Sequence, residues 1–311
     1  MRVFLTGASG WIGSAVVPEL IGAGHRVVGL ARSDASAAAL AAAGAEVQRG
    51  NLDDLDSLRS AAAASDGVIH LAFKHDLAFS GDFPAAAEAD RRAIEALGEA
   101  LEGSDRPFLI ASGTLGLVPG RVATEQDMPD LNPATTSWSG GPAARAANAQ
   151  TTLSLASRGV RSSVVRLPPT VHGDGDNGFM TFVIGSAREK GVSGYIGDGT
   201  NRWPAVHRFD AARLLRLGLE TATAGSVLHA VADEGVPIRD VAEVIGQHLD
   251  LPVTAISSED AGEHFGFLAG FLGMDSPASS ALTRELLGWR PTHPGLIEDL
   301  DQGHYFHNPA A

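Results

Sequence analysis

The run Gly7-Ala8-Ser9-Gly10-Trp11-Ile12-Gly13 places a glycine at every third position. An apolar segment, Val3-Phe4-Leu5, precedes it, and a helix-like pattern follows. A strand that turns through glycines into a helix can hold a dinucleotide. The glycines allow the tight turn and a close approach of backbone to pyrophosphate, and the helix N-terminus faces the negative charge. Gly7, Ser9, Gly10, Trp11, Ile12 and Gly13 are therefore candidate cofactor contacts.

The tip of the second apolar run bears on which dinucleotide is bound. It reads Gly29-Leu30-Ala31-Arg32-Ser33. An acid at this point accepts the ribose 2′-hydroxyl of NAD, whereas an arginine suits the 2′-phosphate of NADP. No acid stands at the tip. Arg32 can clamp a phosphate and Ser33 can add a hydrogen bond, so NADP(H) is the expected cofactor. Asp34 reads as a cap for the next helix.

Other residues could act on a substrate. Lys74 and His75 follow the fourth apolar run, and Lys74 is one of two lysines, with Lys190. Burial could turn Lys74 into a proton donor, but a lysine after a strand also reads as a solvent-facing charge. Ser112 and Thr114 end the fifth run, where hydroxyls orient a carbonyl or serve a turn. Arg145 could bind a substrate carboxylate or the cofactor, or be an exposed helix charge. In the second half, His172, Phe179, Trp203 and His207 could line a pocket. Equally, Trp203 could pack a lobe interface and His207 could bond to backbone. The chain has no cysteine, which excludes thiol nucleophiles and disulfides, and its histidines lack a metal-ligand spacing, so no metal is expected.

The elements that position these residues alternate short apolar runs with helical patterns, as in a parallel sheet covered by helices. Strands are expected at 2–6, 26–31, 46–48, 67–72, 107–112 and 162–167. Helices are expected to start near Trp11, Ser36, Leu55, Pro84 and Pro142, with Ser33 or Asp34, and then Asp53 or Asp54, as caps. Past Gly173 the pattern loosens: a helix at 209–220, a strand at 227–231 and a helix at 238–249, then short elements. His304 and His307 lie near the end, where mobility is expected. The fold class is α/β, a Rossmann doubly wound parallel sheet with a smaller, partly interleaved C-terminal substrate lobe. The division falls at 1–173 and 174–311.

Composition sets the outer bounds. The chain has 311 residues and a net charge of −14, which disfavours nucleic acid and anionic membranes. No apolar run is long enough for a membrane span, and nothing reads as a signal peptide. A cytoplasmic protein is expected. Alanine-rich helices near 85–101 and 143–157 allow close approach of two copies, so a homodimer is a further expectation.

Several segments together resemble the short-chain dehydrogenase/reductase superfamily, in its extended and atypical branches. Besides the glycine run they are Gly50-Asn51-Leu52-Asp53-Asp54, Val68-Ile69-His70-Leu71-Ala72, Ala111-Ser112-Gly113-Thr114 and Val165-Arg166-Leu167-Pro168-Pro169-Thr170-Val171-His172-Gly173. Further on come Gly197-Asp198-Gly199, Val206-His207-Arg208-Phe209-Asp210 and Leu287-Gly288-Trp289-Arg290-Pro291. The resemblance implies that Asn51, in place of the usual Asp, and Leu52 border the adenine. It implies that Leu71, Ala72 and Phe73 line the ribose and nicotinamide side, and that Leu167, Pro168 and Pro169 back the nicotinamide.

The resemblance also implies a catalytic tyrosine with a lysine four residues later. The only tyrosines are Tyr195 and Tyr305, outside the helix that should carry the pair. That region reads Trp138-Ser139-Gly140-Gly141-Pro142-Ala143-Ala144-Arg145. Pro142 or Trp138 stands near the tyrosine's place, and Arg145 is the nearest basic residue. Thr114, Ser112 and Lys74 are the substitutes considered for chemistry, with Arg145, Trp138, His172, Phe179, Trp203 and His207 for the substrate. The expected function is NADPH-dependent reduction of a carbonyl or related C=X bond in a small, largely apolar substrate. A non-catalytic NADP-binding sensor and an epimerase or dehydratase with retained cofactor are the alternatives.

Overall fold

The structure is a computed structural model and describes residues 1–118, 120–129 and 141–307. The first half runs β1 (Arg2–Thr6), α1 (Gly13–Gly22), β2 (Arg26–Ala31), α2 (Asp34–Ala42), β3 (Glu46–Arg49), α3 (Leu55–Ala63), β4 (Gly67–His70), α4 (His75–Phe79), α5 (Phe83–Leu101), β5 (Pro107–Gly113), α6 (Gly141–Ser154) and β6 (Arg161–Leu167). There follow β7 (Thr170–His172), α7 (Phe179–Lys190), β8 (Ser193–Ile196), β9 (Arg202–His207), α8 (Arg208–Thr221), β10 (Ser226–His229), β11 (Asp233–Pro237), α9 (Ile238–Leu249) and β12 (Val253–Ile256). Short helices complete the described chain.

The main sheet has seven strands, all parallel, in the order β10-β6-β5-β4-β1-β2-β3. Helices cover both faces, which is why its central strands carry consecutive apolar runs, such as Val3-Phe4-Leu5 and Phe108-Leu109-Ile110, instead of a strict apolar/polar alternation. The period of two along a strand sorts these apolar residues between two cores. Val3, Leu5, Ile69, Leu109 and Val165 join α1 and α8 through Val16, Leu20, Leu214 and Leu215. Phe4, Val68, Phe108, Ile110 and Val164 join α3 and α5 through Leu58, Ile94 and Leu97.

The caps refine the expected boundaries. The Ser33 hydroxyl accepts from Ser36 N at 3.1 Å and starts α2, so Asp34 is its first residue and not its cap. The Asp34 carboxylate instead faces Arg49 from β3. Asp54, not Asp53, caps α3 by accepting from Ser57 N. Pro84 sits in the first turn of α5, where its missing N–H has no helical partner to lose. The fourth strand ends at His70, two residues earlier than expected, and leaves Leu71 and Ala72 beyond its tip. The first helix starts at Gly13, leaving Trp11 and Ile12 in the turn.

The second half builds a lobe on a three-stranded sheet, β11-β9-β7, and a two-stranded one, β12-β8. The sheet carrying β7 and β9 joins the halves. Val171 and Val206 face the core of the main sheet, whereas Trp203 and Ala205 face the lobe's own core. β10 returns to the edge of the main sheet beside β6. Trp289, from near the end of the chain, is fully buried against α8 and donates Nε1–H to Asp210 O at 3.0 Å. No described helix is long and apolar enough to cross a membrane.

Candidate cofactor and active site

The glycine turn is built so closely that side chains have no room. Gly7 has φ +68°, and a Cβ there would lie 2.7 Å from Ala72 N. A Cβ on Gly13 would lie 2.1 Å from Gly7 O. Gly10 N donates to Gly7 O at 3.0 Å and closes the turn. The N–H groups of Trp11 and Ile12 take no backbone acceptor among the described residues. They precede the first turn of α1, where the helix presents positive partial charge. Ser9 and Gly10 are exposed in the same turn. The Trp11 indole donates to Val171 O at 2.7 Å, and the Arg208 guanidinium lies over its ring. A bare backbone cradle beside a helix N-terminus fits a pyrophosphate.

At the tip of β2 the Arg32 side chain is 75% exposed, with Asp76 as a distant ion partner at 3.9 Å. Next to it the Ser33 hydroxyl is engaged in its cap. Along the same edge, Asn51 Oδ1 accepts from Asp53 N and Leu52 is buried. Lys74 Nζ donates to both carboxylate oxygens of Asp53, at 2.9 and 2.7 Å. Lys74 is thus tied to the β3–α3 loop by an ion pair that sequence reasoning did not include.

The tips of β4, β5 and β6 are neighbours in the sheet and carry the remaining groups. Beneath them runs a buried polar chain. Thr6 Oγ1 accepts from Ala72 N at 3.2 Å and lies 2.7 Å from His70 Nδ1. His70 Nε2 meets Asp90 Oδ1 at 3.0 Å, and Asn148 donates to Asp90 Oδ2 and to Ala87 O, each at 2.8 Å. The His70 Nε2–H donates to Asp90, and one proton lies between Nδ1 and the Thr6 hydroxyl. Burial alone would raise the Asp90 pKa. The His70 hydrogen bond and charge, with Arg145 and Asn148, outweigh it and hold Asp90 below the usual range, as a carboxylate.

Arg145, on α6, lies with its guanidinium carbon 4.3 Å from the centroid of the Phe73 ring. Its Nε is buried without a hydrogen-bond partner among the described residues. Burial weakens its hold on the proton, and the Asp90 charge opposes that loss. The same cation, after burial, keeps the His75 pKa low. At the neighbouring tip, Thr114 N donates to Leu167 O at 3.0 Å, while the Thr114 hydroxyl is buried with no partner among the described residues. Ser112 lies within the end of β5, and Pro168 and Pro169 link β6 to β7. Trp138 lies outside the described residues.

Leu115, just past the tip of β5, packs on the lobe core that holds Phe179, Trp203 and Phe271. Phe179 is half-buried, with ring centroids 5.7 Å from Trp203 and 5.9 Å from Phe271. Trp203 is fully buried in that core. His172 is also fully buried. Its Nδ1 meets Asp299 at 2.9 Å, and its Nε2 has no partner among the described residues. His207 accepts from Phe209 N at the start of α8 and stacks on His293. Burial, with the nearby His172 and His293, pulls its pKa down to about 4. Near the end of the described residues, His304 bonds to Asp299 at 3.1 Å, and Tyr305 donates to Asp176 at 2.9 Å. Tyr195 sits in β8, far along the chain from α6.

Sequence reasoning missed Asp90, Asn148 and Arg49, and saw His70 only as part of a strand. One signal for Asp90 was present: it stands among Ala86, Ala87, Ala89 and Ala93 on the buried face of α5.

Comparison with known proteins agrees with this geometry. The sequence pattern of the NAD-dependent epimerase/dehydratase family matches residues 3–231. An uncharacterized protein of Schizosaccharomyces pombe is 51% identical over 308 residues, covering 98% of this chain and all of that one. A sterol-4-alpha-carboxylate 3-dehydrogenase (decarboxylating) of Dictyostelium discoideum is 29% identical, over 76% of this chain and 73% of that one. Among solved structures, UDP-glucose 4-epimerase from Thermotoga maritima superposes with a TM-score of 0.78 at 20% identity, covering 98% of both chains. With its parallel sheet, glycine cradle and matching sequence over most of its length, the chain belongs to the NAD-dependent epimerase/dehydratase family.

Proposed function

We propose that the protein is an NADPH-dependent reductase of a carbonyl or related C=X bond in a small, largely apolar substrate. The observation that carries this is the pairing of two buried polar atoms, unpartnered among the described residues, with the strand tips: the Thr114 hydroxyl and the Arg145 Nε. A buried polar atom without a partner is costly, and a substrate oxygen at the crevice would satisfy it. Bound nicotinamide would supply the hydride. Thr114 would donate a hydrogen bond to the carbonyl oxygen, Arg145 would stabilise the negative charge that develops there, and water would supply the proton that completes the alcohol. The apolar residues Leu115 and Phe179 would face the rest of the substrate. The Dictyostelium relative's name, a dehydrogenase of a sterol carboxylate, supports oxidoreduction of an apolar ring.

Residues 1–173 would then hold the cofactor and 174–311 the substrate, with β10 and Trp289 interleaved. Pairing of two copies through α5 and α6, and a cytoplasmic location, belong to the same reading. The outer face of α5 carries Glu88, Arg91 and Glu95 in ion pairs, so a dimer there would be polar. A monomeric mass in solution would exclude it.

One observation favours a second reading, a sensor that binds NADP without turnover: neither tyrosine lies in α6. A single experiment separates them. Purified protein is given NADPH and a panel of apolar ketones and aldehydes, and loss of nicotinamide absorbance is followed. Turnover supports the reductase. Tight NADPH binding with no oxidation across the panel supports the sensor.

A further inference from the structure

The tip of β2 has a second cation that the sequence reading did not weigh. Parallel pairing sets Arg49, the last residue of β3, directly beside Ala31. From there its Nη1 donates to Ser33 O at 2.6 Å, and its Nη2 forms an ion pair with the Asp34 carboxylate. Both side chains reach solvent, and Arg32 extends from the same turn.

We infer that Arg49 is a specificity residue for the cofactor, acting both as a phosphate ligand and as a clamp on Asp34. This rests on the NADPH reading given above. Asp34 is the acid nearest the tip, three residues past Ala31. Left free, a carboxylate there would accept the 2′-hydroxyl of NAD and repel the 2′-phosphate of NADP. Arg49 neutralises it and holds it against β3. With Arg32 and Arg49 positive and Asp34 and the more distant Asp76 negative, the tip is neutral. Without Arg49 it carries one net negative charge. The guanidinium has five donors, and two hydrogen bonds leave others for phosphate oxygens. As an ion pair alone the contact would matter little, because exposed pairs contribute about 0–1 kcal/mol. Its consequence is therefore expected in the choice of cofactor, not in stability.

The test measures NADPH and NADH dissociation constants for four proteins: wild type, Arg49→Gln, Arg49→Lys, and Arg49→Gln combined with Asp34→Asn. Wild type is expected to prefer NADPH. Arg49→Gln should weaken NADPH about tenfold, equivalent to about 1.4 kcal/mol, while NADH binding holds or tightens. Arg49→Lys should keep most of the preference, since it keeps the charge. Adding Asp34→Asn to Arg49→Gln should restore part of the NADPH affinity, an outcome that a structural role for Arg49 would not produce. If wild type prefers NADPH and Arg49→Gln leaves the ratio unchanged, or weakens both cofactors equally, the inference is overturned and the NADPH reading stands. If wild type binds both cofactors alike, the NADPH reading fails and takes the inference with it.

Discussion

Thr114 and Asp90 are both buried polar residues, yet removing them should have opposite consequences. The Thr114 hydroxyl has no hydrogen-bond partner among the described residues, so its burial is a net loss until a ligand arrives. Thr114→Val keeps the shape and removes that loss. Thermal stability should stay level or rise slightly, while turnover of a carbonyl substrate falls about 100-fold, the scale for loss of one oxyanion donor. Calorimetry and NADPH oxidation on the same preparation check both halves, and a stability loss with unchanged turnover would sink the assignment. Asp90 is fully engaged by His70 and Asn148, and its charge faces Arg145. Asp90→Asn leaves that buried cation less compensated. It should destabilise the fold by about 2–4 kcal/mol, read as a shift in urea midpoint at constant slope. At this scale the sequence was informative where geometry demands one residue type, as at Gly7 and Gly13. It did not identify the partners of Asp90 and His70, because a polar residue inside an apolar run looks the same whether its partner is water or another chain segment.

The elements were legible to the extent that they obey one period. The first two strands have the expected bounds, since fully buried parallel strands read as continuous apolar runs closed by turn residues. Around the lobe the same reasoning found α8 and α9 but overlooked β7, β8, β9, β11 and β12. Those strands have three to six residues each, and β12 and β11 lie at sheet edges, too short or too exposed to show alternation. The β1–α1 turn is the element on which cofactor binding depends. Gly13→Ala would drive a Cβ into Gly7 O, and backbone on both sides cannot yield as a flexible side chain would. The turn would have to open, moving the Trp11 and Ile12 N–H groups away from the phosphate position. NADPH affinity should drop more than tenfold, beyond about 1.4 kcal/mol, while the far-UV helix signal remains. Titration by nicotinamide fluorescence measures it, and wild-type affinity in this variant would remove the glycine cradle from the binding site.

The whole molecule carries a net charge of −14, but its acid sensitivity should come from buried histidines before its carboxylates titrate. Burial pulls both His207 and His229 down to about 4 in the fold. His207 faces His172 and His293, with Asp299 and Asp210 opposing. His229 faces Arg166, with Glu125 and Asp127 opposing. In the unfolded chain each titrates near its ordinary value of about 6.5. Between pH 6.5 and 4 the unfolded state therefore binds more protons, and stability must fall as the pH is lowered through that window. His75 and His264, also shifted down, add to the slope. Asp176 opposes it, because burial raises its pKa and the fold takes up its proton early. The depressed carboxylates, Asp90 and Asp299, enter only below about pH 4, where the unfolded chain begins to protonate. The melting temperature should thus decline steadily from pH 7 to 4.5. The decline should be shallower in His207→Gln and His229→Gln combined, whatever their stability at pH 7. A wild-type melting temperature that is flat over this range would mean that these histidines keep ordinary affinities for protons in the fold. It would also mean that the junction of main sheet and lobe, where His207 sits between β9 and α8, is open to water.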